Sequence, residues 1–409
     1  MRKTPENMSK KIIFTAGVCA IALLCISCGR TTSEVSVAGG PNHTEFYREI
    51  DAFTLQAAVN ERPPLDDTSG ISAPLLPLDA VYIVAATWGG TLAVTAGNNV
   101  KWATKLDAGF ISAGMFADAE RNIYCAATDG AVYSFDIDGN RRWKTQVTAA
   151  KGITAFFAVL PFGGGMLCST YGGEATFISK TGDILWQRVF TGGIAGAPCA
   201  GTEICYIPAA DFSGRTDTLF AIDKNGRNLW TSFSANATFS AAPVFAGTGV
   251  WIGEKSTAGS MKAPRLIALD SITGKTLHSI PLEATLRRIS ASDKSVASVS
   301  WNSGTGEPIT AVRTFNFDGK ELWKLYYRFP IISPIIFSKK NAVLTGVQGT
   351  AYGIYAVNDS GVVQNVFSME DAPDLNLNPA IAPDGSLLFA AKKQTIITRV
   401  GLKKSLMPF

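Results

Sequence analysis

The chain has 409 residues, 46% of them hydrophobic and only 17% charged, with a formal net charge of +4. That leaves ample apolar material for a large core and excludes a disordered chain, and the charge is too mild for a dedicated nucleic-acid binder. The two histidines, His43 and His278, cannot supply a histidine-based metal cluster or a Ser–His pair within one local unit.

Residues 1–27 read as an export signal. Arg2, Lys3, Lys10 and Lys11 give a charged start, and residues 12–26 form an apolar run that is short for a spanning helix. The run ends in Leu24-Cys25-Ile26-Ser27-Cys28-Gly29, which looks like a bacterial lipoprotein box with Cys28 as the lipidated residue. Ser27 supplies the small side chain before the cleavage point, whereas Cys19 and Cys25 follow larger residues.

Residues 28–70 would then be the lipidated N-terminus and its tether. Residues 29–43 are rich in Ser, Thr and Gly, as a flexible connection requires. In residues 44–59, Phe46, Ile50, Phe53 and Ala57 recur at helical spacing, so a short docked helix is the first expectation and an outer strand closing the following fold is the second. Residues 61–70, with Pro63-Pro64 and Asp66-Asp67, read as a linker.

Residues 71–409 are organised by a repeat, clearest at residues 130–143. A glycine turn precedes an apolar strand, an Asp closes the strand, a second Gly makes the next turn, and a Trp follows four residues later. The same Gly-to-Trp spacing returns at Gly182–Trp186, Gly226–Trp230 and Gly319–Trp323, and Asn98–Trp102 is the same phrase without the Gly. In Gly274–His278, Gly361–Asn365 and Gly401–Ser405 the Trp is replaced. The eight phrases are spaced by 40 to 48 residues, a period that points to an all-β, eight-bladed propeller of four-stranded antiparallel blades.

Each part of the phrase has an expected task. Glycine admits positive φ in a tight turn. The polar residue at Asp136, Ser179, Asp223, Asp270, Asn316 and Asn358 can hydrogen-bond the backbone just ahead of it. Trp102, Trp143, Trp186, Trp230 and Trp323 are expected to dock one blade against the next, with His278 as a degenerate version. Prolines at 74, 198, 243, 334 and 379 mark the start of each unit's first strand, where a missing N–H is tolerated.

Other chemistry is sparse. Asp136-Ile-Asp138-Gly139 lacks the later ligands of a calcium loop and reads as a turn. Cys125 and Cys168 share a second-strand position and read as small buried thiols, while Cys199 and Cys205 flank a hairpin that could align them for a disulfide.

In such blades the turns between second and third strands share a face with the connections between blades. These turns are long in units four to six (residues 211–216, 254–264 and 302–308), and Arg215, Lys255, Lys262, Arg265, Arg287, Arg288 and Arg328 gather there. Loop growth in one sector suggests a binding surface.

The phrase Ala-x-Asp-x-x-x-Gly-x-x-x-Trp, nearest at residues 221–230 and 268–278, resembles the tryptophan-docking repeat of quinoprotein-type propellers. The enzymes of that group hold a quinone with an adjacent cysteine pair, a catalytic Asp and calcium ligands. This chain has no Cys-Cys pair and little acidic clustering, so the expectation is the repeat without cofactor, metal or catalytic residues. The exported, cofactor-free form resembles the scaffold lipoprotein of the outer-membrane β-barrel assembly machinery. That resemblance implies partner contacts on Leu286, Arg287 and Arg288, in Leu286-Arg287-Arg288-Ile289-Ser290-Ala291-Ser292, and at Arg328, with Ser292 standing where that family has Pro.

The leading expectation is therefore a non-enzymatic scaffold, lipid-anchored at the periplasmic side of the outer membrane, holding a protein partner of the cell envelope. A propeller for a small ligand, glycan or host protein is the alternative, and a quinone-dependent dehydrogenase a remote one.

Overall fold

The computed structural model describes residues 46–47 and 57–401, apart from 108, 112, 149–153, 212, 214, 235, 258–262, 303–308, 332–333, 339–340, 349–350, 370–376 and 392. The export signal, Cys28, His43 and Lys262 lie outside the described residues.

The described strands form eight sheets, with no helix among the described residues. Blade four is representative. Its strands run Cys199–Ala200, Ile204–Ala210, Asp217–Asp223 and Asn228–Phe233, each antiparallel to the one before. Second and third strands are almost wholly buried, as in Gly165–Thr170 and Ala131–Phe135. Outer strands alternate between exposed and half-buried residues, as in Asn99–Lys105. A strand with both faces covered can be apolar throughout, whereas one at the rim needs a polar face, which is the pattern the sequence carries.

The core lies between blades rather than within one. Ala158 and Leu160 of blade three share a cluster with Cys205 and Ile207 of blade four. Tyr206 and Leu219 of blade four meet Val250 and Ile252 of blade five. The series runs through blades five and six, six and seven, seven and eight, and returns from blade eight to blade one through Ala380, Leu388, Ile71 and Ile83. The ring is thus closed by apolar contact on every side.

It is also closed by the chain. The outer strand of blade eight is not built from the C-terminal phrase: Gly401 ends the third strand, Ile397–Gly401, and pairs with Ala57. Ala57–Glu61 supplies the fourth strand, antiparallel to Ile397–Gly401. The alternative expectation for this segment therefore holds at its end. The helical expectation fails where the chain is described, because Phe46–Tyr47 is also a strand, parallel to Phe337–Ser338 at the inner edge of blade seven. Residues 48–56 lie outside the described residues. An outer strand drawn from the opposite terminus covers an edge that would otherwise present unpaired backbone groups.

The turns behave uniformly. Asp136 Oδ1 accepts from the backbone N–H groups of Asp138 and Asn140, both at 2.9 Å. Asp223, Asn316 and Asn358 accept from the residues two and four positions ahead in the same way. In blade five the turn is one residue longer, and Asp270 Oδ1 accepts from Ile272 and Thr273. Both carboxylate oxygens of Asp136 are thereby used within its turn, the second by the Asn140 side chain.

Candidate functional site

The surface that could hold a partner depends on how the blades are locked. Trp102 of blade one lies against Gly139 of blade two, and its indole N–H donates to the Ile137 carbonyl at 2.9 Å. Trp143 does the same to Gly182 and Lys180, Trp186 to Gly226 and Lys224, and Trp230 to Gly274 and Ser271. The Trp and the Gly of the phrase are therefore partners across neighbouring blades. The glycine is needed twice, since Gly274 has φ +70° and a Cβ there would stand 2.6 Å from the Trp230 ring. His278 occupies the same place in blade five, with Nε2 3.1 Å from the Phe317 carbonyl oxygen and its ring against Gly319.

Between second and third strands the chain runs six residues in blade four, eight in blade five and six in blades six and eight, against two to four in blades one, two, three and seven, so the lengthening of blades four to six is shared by blade eight. The strands Gly249–Ser256 and Ser295–Asn302 carry the sheet further toward that face than the sequence implied.

Leu286, Arg287 and Arg288 are not on a connection. They open the inner strand of blade six, Leu286–Ala291. Leu286 is 0% exposed and packs in the cluster with Trp251, Leu266 and Ile289. The expected exposed apolar anchor is thus a core residue. The cause is a bulge: the register shifts between Leu286 and Arg288, so Leu286 faces Ser300 and Arg288 faces Val299. Two residues opposite one turn both Arg287 and Arg288 outward while Leu286 and Ile289 point in.

Arg287 lies over the half-buried Trp301 ring, 5.4 Å from its centroid, at the end of the second strand where the 303–308 turn begins. This cation–π contact places the guanidinium beside the ring on an otherwise exposed side chain. The partner ring was legible only as an unassigned Trp, because the pairing depends on the bulge. Arg288 is exposed at its surface but closely surrounded, and this desolvation lowers its pKa without discharging it.

The other cations divide. Arg215, Lys255 and Arg328 are exposed. Arg265 is tied to the buried Glu254 at 3.1 Å. Below them Asp217 accepts from the Phe239 N–H at 2.6 Å, and burial raises its pKa. Acidic groups are near but engaged: Glu283 accepts from Lys324 and from the Tyr326 hydroxyl. The sector is a cationic surface on a rigid frame. Among the described residues no group of three His, Cys, Asp or Glu side chains is placed to hold a metal ion.

The cysteines do not pair. Cys199 is opposite Tyr206 and Cys205 opposite Ala200, so the two thiols sit on different sides of the sheet, one in the seam with blade five and one in the seam with blade three. All four described cysteines are free and buried, and burial pushes the Cys168 thiol up to about 12.

With this geometry in hand, comparisons place the chain among known folds. The family model described as "Outer membrane protein assembly factor BamB" matches residues 128–312. The crystal structure of BamB from Moraxella catarrhalis superposes with a TM-score of 0.60 at 19% identity, covering 86% of this chain and 98% of that one. The structure of the Dos1 propeller gives 0.57 at 14% identity, covering 85% and 95%. No curated protein matches the sequence. Residues 128–312 thus match that family's model, and the chain shares the propeller fold of BamB.

Proposed function

We propose that this protein is a non-enzymatic scaffold of the bacterial cell envelope that holds a protein partner in outer-membrane β-barrel assembly. The observation that carries the reading is the reach of the assembly-factor match. It spans residues 128–312, and so includes the long turns of blades four to six together with Arg287 and Trp301. A fold shared at low identity does not by itself carry a function; the matched sector does.

The proposed role asks only for a rigid frame and a recognisable surface. The frame is the apolar ring of blades, pinned from blade one to blade five by Trp–Gly locks. The surface is cationic, with Arg287 over Trp301 on the first strand of blade six and Arg328 just past the same blade's last strand. Such a surface suits an acidic loop or domain of the partner. Arg supplies several donors in a fixed fork, and charge complementarity sets encounter and register. Leu286 has no part in this contact, because it is buried.

Anchoring belongs to the same proposal. Cys28 would carry the lipid, and the tether to the first described strand would hold the propeller at the periplasmic side of the outer membrane. Capture from detergent-solubilised envelope, with the full-length protein as bait, should recover a barrel-assembly component. Cys28→Ala should abolish lipid labelling and release the protein from the membrane fraction. Recovery of no envelope protein would contradict the scaffold reading, and unchanged labelling would contradict the anchor.

A further inference from the structure

The geometry points to a small-molecule site between blades six and seven, built around Trp323, that takes a small carboxylate with a short apolar portion. Four of the five docking tryptophans donate their indole N–H to a carbonyl of the next blade, at 2.9 to 3.1 Å. Trp323 has no such acceptor among the described residues. Its ring has moved off the glycine as well. A Cβ on Gly139, Gly182 or Gly274 would meet Trp Cδ2 at 2.6 to 2.8 Å and one on Gly226 would meet Trp186 Cγ at 3.0 Å, whereas one on Gly361 would meet Trp323 Cβ at 2.7 Å, with Cδ2 at 3.6 Å.

The space released is a cavity of about 330 Å³ lined by Trp323, Thr314, Leu322, Phe337, Lys294 and Asp359 among others. That is near the lower end for a ligand pocket, at roughly 300 Å³. Thr314 is 1% exposed, and its hydroxyl has no hydrogen-bond partner. A buried hydroxyl left without a partner is unfavourable, so a ligand oxygen that accepts from it removes that penalty. The indole N–H is a donor only, the hydroxyl can donate, and Lys294 stands at the rim, 2.8 Å from Asp359 of the facing turn. Three donors converge on one space, with Leu322 and Phe337 as its apolar wall. An oxyanion with a short hydrocarbon part satisfies both sides. An amine fits less well: it could donate to the Thr314 hydroxyl but leaves the indole N–H unmet, and the Asp359 carboxylate on the lining is already taken by Lys294.

The test uses purified full-length protein labelled with 15N at the indole nitrogens, and hexanoate and N-acetyl-leucine as probes. Trp323→Phe identifies the Trp323 signal. Either carboxylate should shift that signal saturably while the signals of Trp102, Trp143, Trp186 and Trp230 stay fixed, and n-hexylamine should not move it. Thr314→Val should weaken the response at least fivefold, and Lys294→Ala, a change at an exposed side chain, should weaken it as well. The fixed Trp signals report whether each variant is folded. No saturable shift with either carboxylate, an equal shift with hexylamine, or wild-type affinity in both variants would overturn the site.

Discussion

Glu61 and Arg399 lie 338 residues apart in sequence and 2.7 Å apart in space, both buried. The pair clasps the N-terminal strand to the last blade. Arg399 also donates to Ser386 Oγ at 2.8 Å and stands 3.6 Å from Asp384. Removing one member of a buried ion pair leaves the other uncompensated, which costs about 3–5 kcal/mol. Glu61→Ala should therefore lower the denaturant midpoint strongly, with Asp384 limiting the loss. A midpoint within error of wild type would mean that the clasp does not hold the ring.

The Trp–Gly locks predict coupling. Trp230→Ala should cost about 3 kcal/mol, the low end for such a truncation because the ring is half-buried. Gly274→Ala should also destabilise, through both its positive φ and its contact with the ring. In a Trp230→Ala background the contact is gone and only the backbone strain of about 1 kcal/mol remains. A double-mutant cycle by chemical denaturation measures this, and additive effects would refute the lock.

Leu286 and Arg287 should behave oppositely although they are neighbours. Leu286→Ala removes a core side chain and should cost about 2–5 kcal/mol. Arg287→Ala should leave the thermal midpoint nearly unchanged, since a cation–π contact at an exposed site is worth about 0.5–1 kcal/mol. Thermal melts of the two variants decide it; equal stability would mean that the bulge does not set their orientation.

Acid should loosen the linker onto blade one. Burial raises the Asp67 pKa, but hydrogen bonds from Ser69, Thr87 and Thr91 overcome this and hold it well below the usual carboxylate range. A depressed folded pKa gives stability that is present above the unfolded value of about 3.9 and is lost as pH falls through the folded value. Asp67→Asn should therefore reduce stability at pH 7 and flatten its decline below about pH 4. Denaturation at pH 7 and pH 3 checks the sign, and a variant as acid-sensitive as wild type would remove Asp67 from the account.

Much of this architecture was legible because the repeat is physical. The Gly, the turn-capping Asp or Asn, and the Trp each answer a local need that recurs with the blade, so their spacing gives blade number and strand order. Four features were hidden or only second choices, for reasons equally physical. Ring closure pairs Ala57–Glu61 with Ile397–Gly401, a contact between chain ends that no local pattern encodes. The Leu286–Arg288 bulge inserts one residue into a period of two, so Leu286, which the resemblance placed among the partner contacts, turns into the core. The hairpin at Cys199 and Cys205 was right, but its register is offset by one, which sends the thiols to opposite sides. The displaced Trp323 ring had no sequence signal, since its phrase is intact.

The scaffold claim is tested most directly by partner capture with Arg287→Glu beside the wild type. Full-length proteins are used as bait in solubilised envelope, after melts show both to be folded. Charge reversal at a guanidinium set over Trp301 should sharply reduce recovery of the envelope partner, and added salt should reduce wild-type recovery in the same direction. Recovery by the folded Arg287→Glu variant at the wild-type level, unaffected by salt, would contradict the account.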